Sequence, residues 1–296
     1  MMRNDEILVG IDGSAASHAA VRWAAREAQH RDLPLRIAHV FDWQWYAARF
    51  GPGDKYLEEA QKIAQAVVLE AEEQARTAAP TVRSRTDTHI GKPAAGLLEL
   101  AQDAELTVVG NRGHGGFAGL LLGSVSQRLV THAPGPVVVV RGRSEAGQGP
   151  VVAGVDDSPA ADHVLATAFE AAAQRDAALV VIRTFLPVVP IWAGAVPPTE
   201  IQTPEDDAAE HERLEVLLKP WRQRHPQIAV EALVSHGSAA AVLTGVSHNA
   251  QLVVVGSRGH GTIAGVLLGS TGSQLSHHAD CPVLIARPRT GAVHLP

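Results

Sequence analysis

The sequence predicts an α/β protein built from two similar domains, each with a five-stranded parallel sheet covered by helices. The chain repeats itself over most of its length, and each half alternates short apolar runs with amphipathic segments. Strands that alternate with helices form parallel sheets with both faces covered. The 296 residues also suit two domains of about 150 residues each.

Two aligned stretches define the repeat. Residues 7–41 align with 151–185, and residues 105–141 align with 251–287, where 20 of 37 positions are identical. The intervening segment 142–150 is rich in glycine and polar residues and has no apolar periodicity, as expected of a linker. The sequence therefore predicts one domain over residues 1–143 and a second over residues 150–296.

Each half predicts the same order of elements. In the first half, strands are expected at 7–11, 35–41, 82–90, 107–110 and 137–141, with intervening helices that include 55–79 and 93–104. In the second half, strands are expected at 151–155, 179–185, 228–235, 252–256 and 283–287, with helices that include 206–224 and 238–249. Pro220 interrupts the apolar stripe of helix 206–224 and is expected to kink or end it.

The strand segments are nearly continuous runs of Val, Leu and Ile, which is typical of strands buried on both faces. Five such strands suggest a flavodoxin-like order 2-1-3-4-5 or the related order 3-2-1-4-5. In either order the ligand crevice lies beyond the carboxyl ends of the strands, where the winding of the sheet reverses.

Composition argues against several classes of protein. A net charge of −6 disfavours a broad electrostatic grip on nucleic acid, and the single cysteine, Cys281, excludes an internal disulfide and a Cys-rich zinc site. The 15 histidines show no ligand spacing, so no structural metal is expected. The N-terminus has no signal-peptide core, and the uncharged run 184–199 contains four prolines. We therefore expect a cytoplasmic protein with no membrane or nucleic-acid partner.

A glycine-rich loop follows the fourth predicted strand of each half, with the shared spacing G-x2-G-x9-G-S. Such glycines let backbone N–H groups approach a ligand, and a helix that opens at Gly-Ser directs its free N–H groups and dipole toward an anion. Nearby Arg and His side chains can neutralise phosphate charge. The loop therefore predicts a phosphate site in each half, and a connection kept for backbone geometry alone is the alternative. The members are Gly110, Arg112, Gly113, His114, Gly123 and Ser124, and Gly256, Arg258, Gly259, His260, Gly269 and Ser270.

An aspartate ends the first predicted strand of each half. Asp12 is followed by Ser14, and Asp156 by Ser158. In one interpretation the serine caps the next helix and the aspartate accepts a backbone N–H. If the first and fourth strands are neighbours, the carboxylate instead faces the glycine-rich loop, where it can bind a ribose hydroxyl or hold Mg²⁺.

The chain has neither a P-loop lysine motif nor a G-x-S-x-G nucleophile elbow. No Ser/His/Asp set or carboxylate pair recurs in both halves. The repeated residues therefore suit holding a nucleotide better than cleaving one. A slow ATPase or nucleotide-processing enzyme and a nucleotide-free interaction module are the alternatives.

These motifs resemble those of the universal stress protein family. The resemblance rests on G-[IV]-D-x-S near the start of each half, V-V-G-x-R-G-H-G-x-x-A-G-x-L-L-G-S, and a closing P-V-x-x-x-R strand. It covers both halves except 42–60 and 186–212, which do not match each other. The resemblance implies a tandem bacterial-type protein with adenine-nucleotide α-hydrolase-like sheets in order 3-2-1-4-5. It also implies pairing of the two domains through their last strands, and it is compatible with a homodimer and with a protein partner.

The resemblance further implies an ATP-binding stress-response regulator that holds one ATP in each half, with Mg²⁺ as a companion ion. Asp12 and Asp156 would contact the ribose or a phosphate-bound metal, and the backbones of Val40 and Thr184 would contact adenine. The glycine-rich loops would hold the phosphates, extended by Val125 and Ser126 and by Thr271 and Gly272. Because Thr184 replaces Val40 and Gly272 replaces Ser126, unequal occupancy of the two sites is expected.

Overall fold

Each half of the chain folds around five parallel strands, as the alternation of apolar and amphipathic segments predicts. The computed structural model describes residues 5–42, 54–113, 121–145, 147–185, 204–257 and 268–288. In the range 54–113, side chains are described from residue 58 onward. The described chain divides into two units, the first comprising the described residues of 1–145 together with Pro288 and the second those of 146–287.

Strands and helices alternate in both units. The first unit contains β1 (Ile7–Ile11), α1 (Ala15–Arg31), β2 (Leu35–Phe41), α2 (Asp54–Ala78), β3 (Ser84–Ile90), α3 (Pro93–Leu100), β4 (Leu106–Gly110), α4 (Ser124–His132) and β5 (Val137–Val140). The second contains β6 (Val151–Val155), α5 (Ala161–Gln174), β7 (Leu179–Phe185), α6 (Pro204–Arg224), β8 (Val230–His236), α7 (Ala239–Ser247), β9 (Leu252–Gly256), α8 (Ser270–His278) and β10 (Val283–Ala286).

The order of the strands decides between the two predicted topologies. In the first unit it is β3-β2-β1-β4-β5, and in the second it is β8-β7-β6-β9-β10, with every pair parallel. Order 3-2-1-4-5 is thus confirmed in both units. Ile7 of β1 lies opposite both Leu35 and Leu106, so β1 runs between β2 and β4. The winding therefore reverses between β1 and β4, and a crevice forms beyond their carboxyl ends.

The core lies on both faces of each sheet. All of β1, β4 and β5 is buried, which explains the continuous apolar runs in the sequence. On α2 the buried residues are small or β-branched and recur every three or four positions, so that this helix lies close to its neighbours. They are Ala60, Ala64, Val68, Ala71 and Ala75.

The ends of two helices bear on the predictions. Helix α6 continues through Pro220 and ends at Arg224, the end predicted for helix 206–224, so of the two effects expected of Pro220, kinking or ending the helix, the second is excluded. Pro220 is exposed, and water can therefore satisfy the carbonyl that loses its intrahelical partner. Helix α3 ends at Leu100 rather than at residue 104, because the N–H of Gln102 turns back to the Glu99 carbonyl at 3.1 Å and closes the last turn.

No helix within the described ranges has both the length and the apolar character needed to cross a bilayer.

An ion-pair network joins the amino-terminal ends of three strands in the first unit. Glu6, only 3% exposed, accepts hydrogen bonds from Arg85 Nη2 at 2.7 Å and Nε at 3.0 Å, and lies 3.5 Å from Arg36 Nη1. Asp87 accepts from both arginines. The hydrogen bond to Glu6 raises the pKa of Arg85. This network connects β1, β2 and β3 at the end of the sheet away from the crevice.

Replacing Glu6 by alanine should lower the free energy of unfolding by about 1–3 kcal/mol, because the charge-assisted hydrogen bonds of the buried Glu6 carboxylate to Arg85 are lost. Urea denaturation followed by far-UV circular dichroism measures the change. The matched control is Glu99→Ala, which removes an exposed carboxylate from α3 and should leave the midpoint where it is. Equal midpoints for the two variants would show that the network contributes no stability.

Candidate functional site

The loop after β1 starts helix α1. Asp12 Oδ1 accepts a hydrogen bond from the Ser14 N–H at 3.0 Å, and Ser14 Oγ accepts from the Ser17 N–H at 3.2 Å as the N-cap of α1. Gly13 between them has φ +82°, a left-handed conformation that favours glycine. In the first unit, Asp12 and Ser14 therefore do what the helix-start interpretation expects.

The same loop also contacts the glycine-rich loop after β4. Ser14 Oγ donates to the Arg112 carbonyl at 3.4 Å, and a Cβ atom on Gly113 would lie 2.2 Å from Asp12 Oδ2. A Cβ atom on Gly110 would lie 2.6 Å from the Ala16 carbonyl oxygen. The two loops therefore approach so closely that only glycine fits at positions 110 and 113 without a shift. The helix-start role of Asp12 and its place in the crevice are compatible.

The loop after β4 brings the start of α4 back to the end of the sheet. The Asn111 N–H donates to the Val140 carbonyl at 3.0 Å, and the Gly123 N–H donates to the Asn111 carbonyl at 2.8 Å. Gly123 is the N-cap of α4 and has no side chain that can accept from the N–H groups of the first turn. Ser124, the first residue of the helix, is exposed. Free N–H groups and the positive end of the helix dipole thus face the crevice, an arrangement that favours an anion.

Ser126 fixes the start of α4 to the end of β4. Its buried Oγ donates to the Gly110 carbonyl at 2.7 Å. The family resemblance implies that Ser126 extends the phosphate loop, and the structure shows its hydroxyl already bonded within the protein, which leaves the backbone of this turn for a ligand. The sequence offers no signal for this bond, because residues 110 and 126 become neighbours only when the loop closes.

Val40 lies near the carboxyl end of β2. Its side chain is 5% exposed and packs on α3, where a Cβ atom on Gly96 would lie 2.9 Å from Val40 Cγ1. The side chain is therefore used in the core, and a contact from Val40 to a ligand has to come from its backbone. His39 points to the opposite face, and its Nδ1 lies 2.8 Å from the Ile11 carbonyl oxygen.

The second unit repeats the closure of the glycine-rich loop. The Ser257 N–H donates to the Ala286 carbonyl at 3.0 Å, and the Gly269 N–H donates to the Ser257 carbonyl at 2.8 Å. Gly269 is the N-cap of α8, and Ser270 is exposed. Gly272 stands where the first unit has Ser126, and a Cβ atom there would lie 3.8 Å from the Gly256 carbonyl oxygen. The second unit therefore builds the same helix start without the serine hydroxyl.

The first turn of the second unit differs more strongly. Asp156 Oδ1 again accepts from the Ser158 N–H at 3.0 Å, but α5 begins only at Ala161 and its N-cap is Ala160. Ser158 Oγ is buried and has no hydrogen-bond partner among the described residues. Asp157 replaces Gly13, and its backbone is not left-handed. The helix-start interpretation thus holds for Asp156 but is wrong for Ser158.

Thr184, the counterpart of Val40, lies near the carboxyl end of β7 and is half-buried.

Four predicted site residues, His114, Arg258, Gly259 and His260, lie outside the described residues. Within the described part of the chain, no three His, Cys, Asp or Glu side chains converge as a metal centre.

Strand order 3-2-1-4-5, with one glycine-rich loop after the fourth strand of each unit, defines a nucleotide-binding type of α/β fold. The chain belongs to the universal stress protein family, whose model matches residues 3–141 and 149–287, so the predicted membership with two family domains is confirmed. A universal stress protein of Mycolicibacterium smegmatis is 37% identical over 292 residues, covering 96% of this chain and 97% of that protein. A universal stress protein of Mycobacterium tuberculosis is 37% identical over 298 residues, covering 95% and 96%.

Among solved structures, the crystal structure of a universal stress protein from Archaeoglobus fulgidus matches with a TM-score of 0.72. It covers 97% of this chain and 99% of that chain at 19% identity, which shows the same fold.

Replacing Ser126 by alanine should lower the free energy of unfolding by about 1 kcal/mol, because the buried Gly110 carbonyl loses a donor. Thr131→Ala in the same helix is the control, since Thr131 Oγ1 makes an exposed bond to the Gln127 carbonyl at 2.8 Å. Chemical denaturation should separate the two variants. A Ser126→Ala midpoint no lower than that of Thr131→Ala would contradict a clamping role.

Proposed function

We propose that each unit binds one ATP and that the chain acts as a stress-response switch or binding module controlled by nucleotide occupancy. The triphosphate would lie against the loop between β4 and α4 in the first unit and between β9 and α8 in the second. This adenine nucleotide is the ligand that the family resemblance implies, and the geometry of both loops supports a polyanion.

One observation carries the proposal. In each unit, two backbone hydrogen bonds close the glycine-rich loop so that a helix with a glycine N-cap begins at the carboxyl end of the sheet. A helix start of this kind binds phosphate through backbone N–H groups and the helix dipole. The same bonds recur at Asn111 and Gly123 and at Ser257 and Gly269, which supports one anion site per unit.

The remaining contacts follow from what lies beside each loop. Asp12 approaches Gly113 closely enough to meet a ribose next to the phosphates, and Asp156 occupies the matching place after β6. The backbones of Val40 and Thr184 lie at the ends of the adjacent strands, where an adenine edge would pair with them. Mg²⁺ bound with ATP would take one carboxylate from Asp12 or Asp156 and its other ligands from phosphate oxygens and water.

The absence of a repeated base or nucleophile from the sequence favours binding over turnover. A nucleotide that is held and not consumed acts through differential affinity for two states of its protein. We therefore expect occupancy by ATP, rather than a catalysed step, to carry the signal to a partner.

Replacing Gly113 by valine should remove one of two bound ATP molecules, because the new side chain would overlap Asp12 Oδ2. Isothermal titration calorimetry with ATP and Mg²⁺ gives the number of sites and their affinities. The control is Gly147→Val, at a position where a Cβ atom meets nothing within 4 Å. It should bind two ATP molecules like the natural chain.

Folded protein that binds no ATP at millimolar concentration would refute the proposal. Two remaining sites in Gly113→Val would refute the placement of the first. Phosphate release that disappears in Asp12→Ala and Asp156→Ala would instead favour the enzymatic alternative. Retention of a partner by a Gly113→Val, Gly259→Val double variant that no longer binds ATP would favour the nucleotide-free module.

A further inference from the structure

We infer that Arg183 is a positioning residue of the second site, where it holds the loop that carries Asp156 by an ion pair that replaces the helix cap of the first unit. The inference deepens the proposed function and rests on it.

Arg183 connects three elements of the second unit. It lies on β7, is only 7% exposed, and donates from Nη1 to Asp157 Oδ1 at 2.7 Å and from Nη2 to Asp157 Oδ2. Its Nε donates to Glu210 of α6. A guanidinium that binds both oxygens of one carboxylate fixes the orientation of that carboxylate as well as its distance. Because Asp157 stands between Asp156 and Ser158, this pair restrains the whole turn after β6.

The first unit holds the corresponding turn by other means. His39 and Gly13 occupy the positions of Arg183 and Asp157 in the repeat. There, Ser14 Oγ accepts from the Ser17 N–H as the cap of α1 and donates to the Arg112 carbonyl, so the hydroxyl holds the turn as both acceptor and donor. In the second unit, Ser158 Oγ has no partner among the described residues and α5 starts two residues later. The Arg183–Asp157 pair therefore supplies a restraint that the serine no longer supplies.

Arg183 acts on the site through Asp157 and is not itself a ligand group for adenine. Side chains alternate along a strand, so Arg183 and Thr184 point to opposite faces of the sheet. The guanidinium lines a cleft of about 560 Å³ together with the turn Asp156–Pro159 and residues of α5 and α6. Loss of Arg183 should thus leave every proposed ATP contact chemically intact and change only how firmly Asp156 is held.

Arg213 provides a matched control within the same network. Its Nη1 donates to Glu210 Oε1 at 2.7 Å, and its side chain is 62% exposed. Arg213 thus shares the Glu210 partner and lines the same cleft, but among the described residues it forms no hydrogen bond or ion pair with the turn after β6. A variant that only disturbs α6 should have the same ATP affinity and the same Ser158 amide exchange as Arg213→Ala. A variant that releases the turn after β6 should differ from Arg213→Ala in both measurements.

The binding experiment uses the full chain with Gly113→Val, so that only the second site is titrated with ATP and Mg²⁺. Adding Arg183→His, which introduces the residue of the first unit, should weaken binding by about tenfold because the turn must be ordered on binding. Arg183→Lys keeps the charge without the paired geometry and should fall between. Arg213→Ala should bind like its parent. In a Gly259→Val chain, Arg183→His should leave the first site unchanged.

A second measurement needs no nucleotide. Hydrogen exchange of the Ser158 amide, whose N–H is bonded to Asp156 Oδ1, should be faster in Arg183→His than in the parent and unchanged in Arg213→Ala. Circular dichroism at the same temperature establishes that each variant is folded, and Arg183→Lys decides the matter if Arg183→His does not fold. Unchanged exchange and unchanged affinity in a folded Arg183 variant would overturn the inference. Loss of all ATP binding in the natural chain would instead overturn the proposed function, whatever the exchange rates are.

Discussion

The N–H of Gly123 donates to the carbonyl of Asn111, and this single backbone bond decides where helix α4 begins. Without it, residues 111 and 123 would be the two ends of a long connection with no reason to meet. With it, the first turn of α4 lies at the end of β4, and β4 lies beside β1. Everything proposed about an anion at this place depends on that closure, since a helix dipole acts only within about one turn of the helix end.

The close approach of the loops after β1 and β4 explains the glycines at positions 110 and 113 better than backbone flexibility does. A Cβ atom at Gly110 would overlap the Ala16 backbone carbonyl, and one at Gly113 would displace the Asp12 carboxylate. The loop after β1 and the loop after β4 therefore pack backbone against backbone and carboxylate. A site formed in this way presents N–H groups rather than long side chains, which suits a ligand with many oxygen acceptors.

The two units stabilise the loops at the carboxyl ends of their first and fourth strands by different contacts. The first unit uses hydroxyl groups: Ser14 caps a helix and reaches Arg112, and Ser126 holds Gly110. The second unit lacks a hydroxyl at Gly272, and at the turn after β6 it has the ion pair of Arg183 and Asp157 where the first unit has the Ser14 cap. A buried guanidinium stays ionised because its partners stabilise the charge, and the hydrogen bond to Asp157 raises the pKa of Arg183 further. Duplication thus preserved the backbone geometry of the loop while its supporting contacts changed.

Local periodicity was enough to determine the kind and the order of the elements along the chain, because it depends on residues that are neighbours in sequence. The apolar runs at 7–11 and 107–110 predicted β1 and β4, and the repeated glycine spacing predicted a loop with an anion site. Residue pattern alone left two strand orders open, and the family resemblance pointed to the one observed. Only the tertiary structure decided that Ser126 bonds to Gly110, that Ser158 caps no helix and that Arg183 holds Asp157. These contacts join residues from different strands and loops, so they exist only after the strand order has brought those segments together.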